Sequence, residues 1–252
     1  MVSVSRTMRR VVFARVVMLF IQGLKLCDTL SHQNGHKKGT LMDALNQIST
    51  TLALTMGLAW ASGINLYATL LTLGILANTG NIVLPPDLQI VASPLVIIAA
   101  GLMYCVEFFA DKVPGVDTGW DTIHTFIRIP AGAMLAAGAV GTLDPSVELA
   151  AAILGGSLAA GTHLTKAGTR VLINTSPEPF TNWFASITED VAVITGVWAC
   201  INHPIGFLVA LAIFIVLMIV LLPKIWGGIQ KVFGFIINLF RPTPPPASSN
   251  PP

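Results

Sequence analysis

Long apolar runs, parted by short polar turns rich in proline and glycine, organise most of this chain. A bilayer core about 30 Å thick needs roughly 20 apolar residues per helix. Six stretches satisfy that length: 50–78, 90–110, 122–141, 149–172, 183–201 and 204–222. Turn signals fall between them, among them Asn78-Thr79-Gly80-Asn81 with Pro85-Pro86, Pro114-Gly115, Asp144-Pro145, and His203-Pro204. The runs are continuous rather than alternating over ten residues, which argues against a β-barrel. The pattern predicts an all-α polytopic bundle of about six transmembrane helices.

The flanks read differently. Residues 1–41 form a basic extension whose run Val11–Leu24 is broken by Arg15, and no small-residue cleavage site follows it. That segment is expected to be an interfacial helix or sequence upstream of a start at Met42. The spanning domain is then 42–223. Residues 224–240 mix Trp226 and three phenylalanines with Lys224 and Lys231, as an interfacial amphipathic helix does. The Pro/Ser-rich tail 241–252 is expected to be disordered.

Composition sharpens the reading. Of 252 residues, 54% are hydrophobic and 10% charged, against about 25% charged in soluble domains. A net charge of +2 gives no footprint for nucleic acid. Cys27, Cys105 and Cys200 have no paired spacing, which removes a disulfide framework and a thiolate zinc site. With the N-terminus inside, loops 79–90, 142–148 and 202–203 are external and hold no Lys or Arg, so all 14 basic residues fall inside. That places both termini in the cytoplasm and the chain in the cell inner membrane.

Charge in hydrocarbon costs about 2.5–3.5 kcal/mol per residue, so each intramembrane charge is a site candidate. Glu107 and Asp111 lie four apart on the second run, and His124 and Arg128 four apart on the third. His163, Lys166 and Arg170 share one stripe of the fourth, and Glu189 and Asp190 are adjacent on the fifth. Asn65 follows Ser62-Gly63 in mid-run, where a helix can break. The polar stretch from Asn174 to Phe180 is expected to re-enter the bundle. Together these residues predict a cytoplasm-facing polar cavity floored by Glu107, His163 and Asp190.

Blander roles compete. Asp111, Lys112, Asp117, Asp121, Arg170 and Glu178 lie near run ends, where they are expected to be solvated or to snorkel. Trp120, Trp183, Trp198 and Trp226 suit an aromatic belt, and Gly132, Gly138, Gly155, Gly156 and Gly161 suit close helix contact. Ala61–Tyr67 matches Ala159–Thr165, and Ser93-Pro94 with Glu107 matches Ser176-Pro177 with Asp190. Three runs apart, these matches predict a 3+3 inverted repeat. No zinc-protease helix, phosphate loop or nucleophile elbow occurs, so no catalytic residue, metal or cofactor is assigned.

Gly57–Thr69, Val106–Asp117, His163–Arg170 and Asn174–Phe180 carry a resemblance. Over residues 43–225 the chain resembles the bacterial membrane proteins grouped as domain of unknown function 4126. The resemblance implies a multi-span inner-membrane protein and carries no activity with it. The residues themselves favour a small transporter or channel-like protein for an anionic solute or lipid headgroup, with proton coupling. Arg128, Lys166 and Arg170 would draw the anion; Glu107, Asp190 and His163 would handle the proton. A structural or partner-binding membrane protein locked by its charges, or an intramembrane lipid-modifying enzyme, are the competing classes. The expected partner is the bilayer, and a homo-oligomer is compatible with this pattern.

Overall fold

The computed structural model describes residues 38–141, 143–175 and 179–239, and every regular element among them is helical. In chain order these are α1 Lys38–Ile64, α2 Leu66–Asn78, a 3-10 helix Pro86–Ala92, α3 Pro94–Ala110, α4 Val116–Val140, α5 Pro145–Ile173, α6 Pro179–Asn202 and α7 Pro204–Leu239. Helices α4 to α7 are long and apolar enough to cross a membrane. The 3-10 helix and α3, bent by 63° at Ser93, form a fifth candidate. Local chemistry sets these starts. Ser93 and Asp144 cap α3 and α5 through their side-chain oxygens, each with a proline at the first helical position. Gly115 and Gly141 bound α4 at φ of +86° and +69°, which a side chain would resist.

The first apolar run is two helices. Asn65 sits extended at φ −146° and ψ 101°, and its Oδ1 accepts from Ala68 N at 2.9 Å, starting α2 afresh. At 13 residues α2 spans about 20 Å, too little for a bilayer core. Its direction follows from what lies near its ends. Ala44, Ile48 and Leu52 of α1 line one groove with Val140, Val147 and Leu154, at the α4–α5 turn. A Cβ on Gly141 would lie 3.6 Å from Pro85, and one on Gly138 would lie 3.2 Å from Leu88 Cγ. The 3-10 helix is therefore at the end where α1 begins. A straight continuation would carry Asn78 about 20 Å past the break in the wrong direction. Helix α2 instead turns back, and its Leu73 and Ala77 share an apolar cluster with Leu54 and Leu58 of α1.

Several expectations change here. The run 50–78 is a hairpin of helices rather than one span. Gly155 packs on Ala59 and Gly63 packs on Ala159 and Thr162. Helices α1 and α5 therefore advance together and run parallel, whereas an inverted repeat needs them antiparallel. The expected break after Pro223 is also absent: α7 continues through it to Leu239. A proline removes one amide donor, and a long apolar helix tolerates that loss. Residues 1–37 and 240–252 lie outside the described residues, so the expected extension and tail do too, save that 38–41 belong to α1.

Tight crossings hold the bundle together. A Cβ at Gly63 would lie 2.6 Å from the Ala159 carbonyl oxygen, and one at Gly161 would lie 2.9 Å from Met218 Cε. Small residues let these backbones approach where apolar burial offers little driving force. The outer surface is apolar, with Leu95, Phe126, Ile153, Phe184 and Ile213 exposed.

Candidate functional site

Asn65 lies where five helices bring their polar side chains together. The break leaves carbonyls at the end of α1 without the amides that would follow in a continuous helix. Lys166 of α5 meets one of them, its Nζ donating to Ile64 O at 3.1 Å. Asn65 Nδ2 donates to Asp190 Oδ1 of α6 at 3.0 Å while its other end caps α2. One amide thus ties α2 to α6.

Around the break, four acids and three bases form an alternating row. Asp121 lies 3.0 Å from Arg128, which is also in direct ion-pair contact with Glu107. Glu107 lies 3.5 Å from Lys166, and Lys166 lies 2.8 Å from Asp111. Asp111 lies 3.7 Å from Arg170, and Arg170 grips Glu189 with Nε at 3.3 Å and Nη2 at 2.6 Å. Lys166 is the hub, since Asp121 and Glu189 also lie 3.6 Å from its Nζ. Six of the seven side chains are at most 3% exposed; Glu189 is 20% exposed. The expected open cavity is closed in this structure because its acids and bases meet each other.

The two histidines sit beside the row. His163 Nδ1 accepts from Arg128 Nη1 at 3.2 Å, which makes the ring neutral with its proton on Nε2. That nitrogen then donates to Asp121 O at 3.1 Å and faces Thr125 Oγ1 at 2.8 Å. His124 bonds Trp120 O and Tyr67 Oη, and its ring stacks on Trp120 at 4.3 Å. Trp120 is thus a partner of His124 rather than a belt residue. Trp183, Trp198 and Trp226 are exposed, as a belt requires.

The residues expected at solvated helix ends are not solvated. Asp111, Lys112, Asp117, Asp121 and Arg170 are all buried. Asp117 accepts from Gly115 N, Thr118 N and Asn174 Nδ2, which joins the α5 end to the start of α4. Lys112 lies over the Phe108 ring and donates to Phe108 O and Ser186 Oγ. Glu178 and the middle of the expected re-entrant stretch lie outside the described residues. Asn182 escaped the sequence reading: its carbonyl and side-chain oxygens both accept from Arg170. Asp121, expected to be solvated at a helix end, is instead a buried member of the row.

Among the described residues, no group of three or more His, Cys, Asp or Glu side chains is arranged to hold a metal ion. Among the described residues, Tyr67 Oη meets His124 Nε2 and Thr125 Oγ1 meets His163 Nε2. Ser157 Oγ donates to its own helix at Ile153 O. What the site offers is fixed charge, neutral donors and a helix break.

No curated protein matches this chain, and no solved structure does. The model of a family described as Domain of unknown function (DUF4126) matches residues 52–224. That interval begins within α1, ends within α7, and takes in every residue of the charged row. The apolar helices and this match agree: the chain is a helical membrane protein of the DUF4126 family.

Proposed function

We propose that the protein is a small membrane transporter whose solute site is the helix break at Asn65. The observation that carries this reading is the position of the break inside the charged row, with Lys166 on its carbonyl and Asp190 on its cap. Broken helices with charges at mid-membrane are how secondary transporters build solute and ion sites. Five crossings, made by α3 to α7, with α1–α2 as a re-entrant hairpin, fit the helices described. The turns beside α2, α4 and α6 hold no Lys or Arg, whereas Lys112, Lys224 and Lys231 cluster at the opposite end. Applied to those turns and to α7, the positive-inside rule puts that opposite end in the cytoplasm of an inner membrane, with Lys38 and the start of α1 on the other side.

The solute class that suits Arg128, Lys166 and Arg170 is an anion, free or as a lipid headgroup. All three cations are already held by carboxylates, so an anion enters by displacing one. Glu189, the exposed end of the row, is the carboxylate in reach. Binding and carboxylate release are thereby linked. A second reading has one specific support: the near-complete burial of the row fits a network that only locks the helices.

A thermal-shift screen of the purified protein in detergent separates the two. Inorganic phosphate, glycerol phosphate and dicarboxylates are titrated between pH 5 and 8, beside Glu107→Gln. A ligand at a hundred times its Kd stabilises by about 2.7 kcal/mol. The transporter reading expects a shift that the folded variant loses. A protein that answers to no anion, with a variant that cannot fold, favours the lock.

A further inference from the structure

The row Asp121, Arg128, Glu107, Lys166, Asp111, Arg170, Glu189 alternates in sign and has an acid at each end. Four carboxylates meet three permanent cations, so the fully ionised row has one negative charge too many. Among the described residues, no further cation is paired with its carboxylates. His163 is held neutral by Arg128, and Lys112 reaches a carbonyl and a hydroxyl rather than a carboxylate. Asp190 adds a further acid and is bonded by the neutral Asn65 amide. A second feature points the same way. Glu107 Oε2, Asp111 Oδ1 and Asp121 Oδ2 of the row, and Asp190 Oδ2 beside it, are buried oxygens without a hydrogen-bond partner among the described residues. A carboxylate oxygen in that position accepts nothing and carries charge at high cost, which protonation removes.

We infer that the row binds one exchangeable proton, which enters and leaves through Glu189. That residue is the terminal acid, and its side chain is 20% exposed against 3% or less for the other three acids. The step is simple: a carboxylate oxygen takes a proton from water to give the neutral acid, and returns it on release. The charged groups facing Glu189 are Lys166 and Arg170 of α5 and, beyond them, Asp111 of α3. At the far end Asp121 faces Arg128 and Lys166, with His163 on its carbonyl. The inference stands on pairing and burial, and it holds whether or not a solute is moved. It also goes beyond the transporter reading, since it names the ion and the residue that admits it.

The test is the thermal midpoint of the full chain in detergent, from about pH 5 to about pH 8.5, at constant ionic strength and without added anion. Wild type, Glu189→Gln and Asp121→Asn are compared. The proton stabilises the folded row, so the wild-type midpoint is expected to fall as pH rises, by about 3 °C or more. Each variant leaves three acids for three bases within the row. Its slope is expected to flatten and its midpoint at high pH to equal or exceed that of wild type. A pH-independent wild type overturns the inference, as do variants that keep the wild-type slope. Sodium or potassium raising the midpoint as acid does would replace the proton with a metal cation and overturn it too. If one variant fails to fold the other decides; failure of both at every pH contradicts a surplus charge. A normal slope with no solute response in the anion screen sinks the transporter reading alone.

Discussion

Arg128 shows how tightly individual residues constrain one another here. It is fully buried, and its guanidinium serves Glu107, Asp121 and His163 at once. Replacing it with methionine leaves two carboxylates facing each other without their cation. The expected loss is about 3–5 kcal/mol, the range for breaking a buried pair from one side. Removing Glu107 alongside it, as Arg128→Met with Glu107→Gln, should recover part of that loss, because the orphaned charge goes too. Chemical or thermal unfolding of the two singles and the double measures the coupling; strictly additive losses would show that the pair is not coupled. The stripe His163, Lys166, Arg170 was legible from its spacing of three then four. The matching stripe Asp117, Asp121, His124, Arg128, at four, three and four, was only half read. Hydropathy placed the helix start at 122, six residues after its true first residue, so Asp117 and Asp121 looked like solvated residues at a run end. Which acid meets which base was not legible at all, since that depends on how the helices pack.

The hairpin α1–α2 is the element on which the site is built. Its break was readable from Ser62-Gly63 and Asn65, because a short amide side chain offers the backbone a rival partner. Its reversal was not. An apolar run of 29 residues looks the same to a hydropathy count whether it crosses once or enters and returns. The reversal rests on tertiary contacts, among them Leu73 with the α1 leucines and Pro85 beside Gly141. Asn65→Ala removes both the α2 cap and the tie to Asp190. Loss of a cap costs about 1 kcal/mol, and a buried carboxylate left without its donor adds about 1–3 kcal/mol. Amide exchange should then rise in the first turn of α2 while α5 stays protected. Equal exchange along both helices would mean that the cap does not anchor the hairpin.

At the scale of the whole molecule, hydropathy and charge identified a helical membrane protein and most of its turns, but they read the run 50–78 as one span where the structure has two helices broken at Asn65. Helices α1 and α5 run parallel, which does not fit the expected inverted repeat. The five-crossing arrangement proposed above puts the start of α1 and the end of α7 on opposite sides.

Single-cysteine labelling measures this directly. In a background where Cys27, Cys105 and Cys200 are replaced by alanine, Asp43→Cys, Asn81→Cys, Val113→Cys and Gln230→Cys are made singly. Each is treated with a membrane-impermeant maleimide in intact and in permeabilised cells. The fold described here predicts that positions 43 and 81 label from one side and positions 113 and 230 from the other. Labelling of 43 and 81 from opposite faces would mean that the first run crosses the membrane, and the hairpin at Asn65 would be wrong.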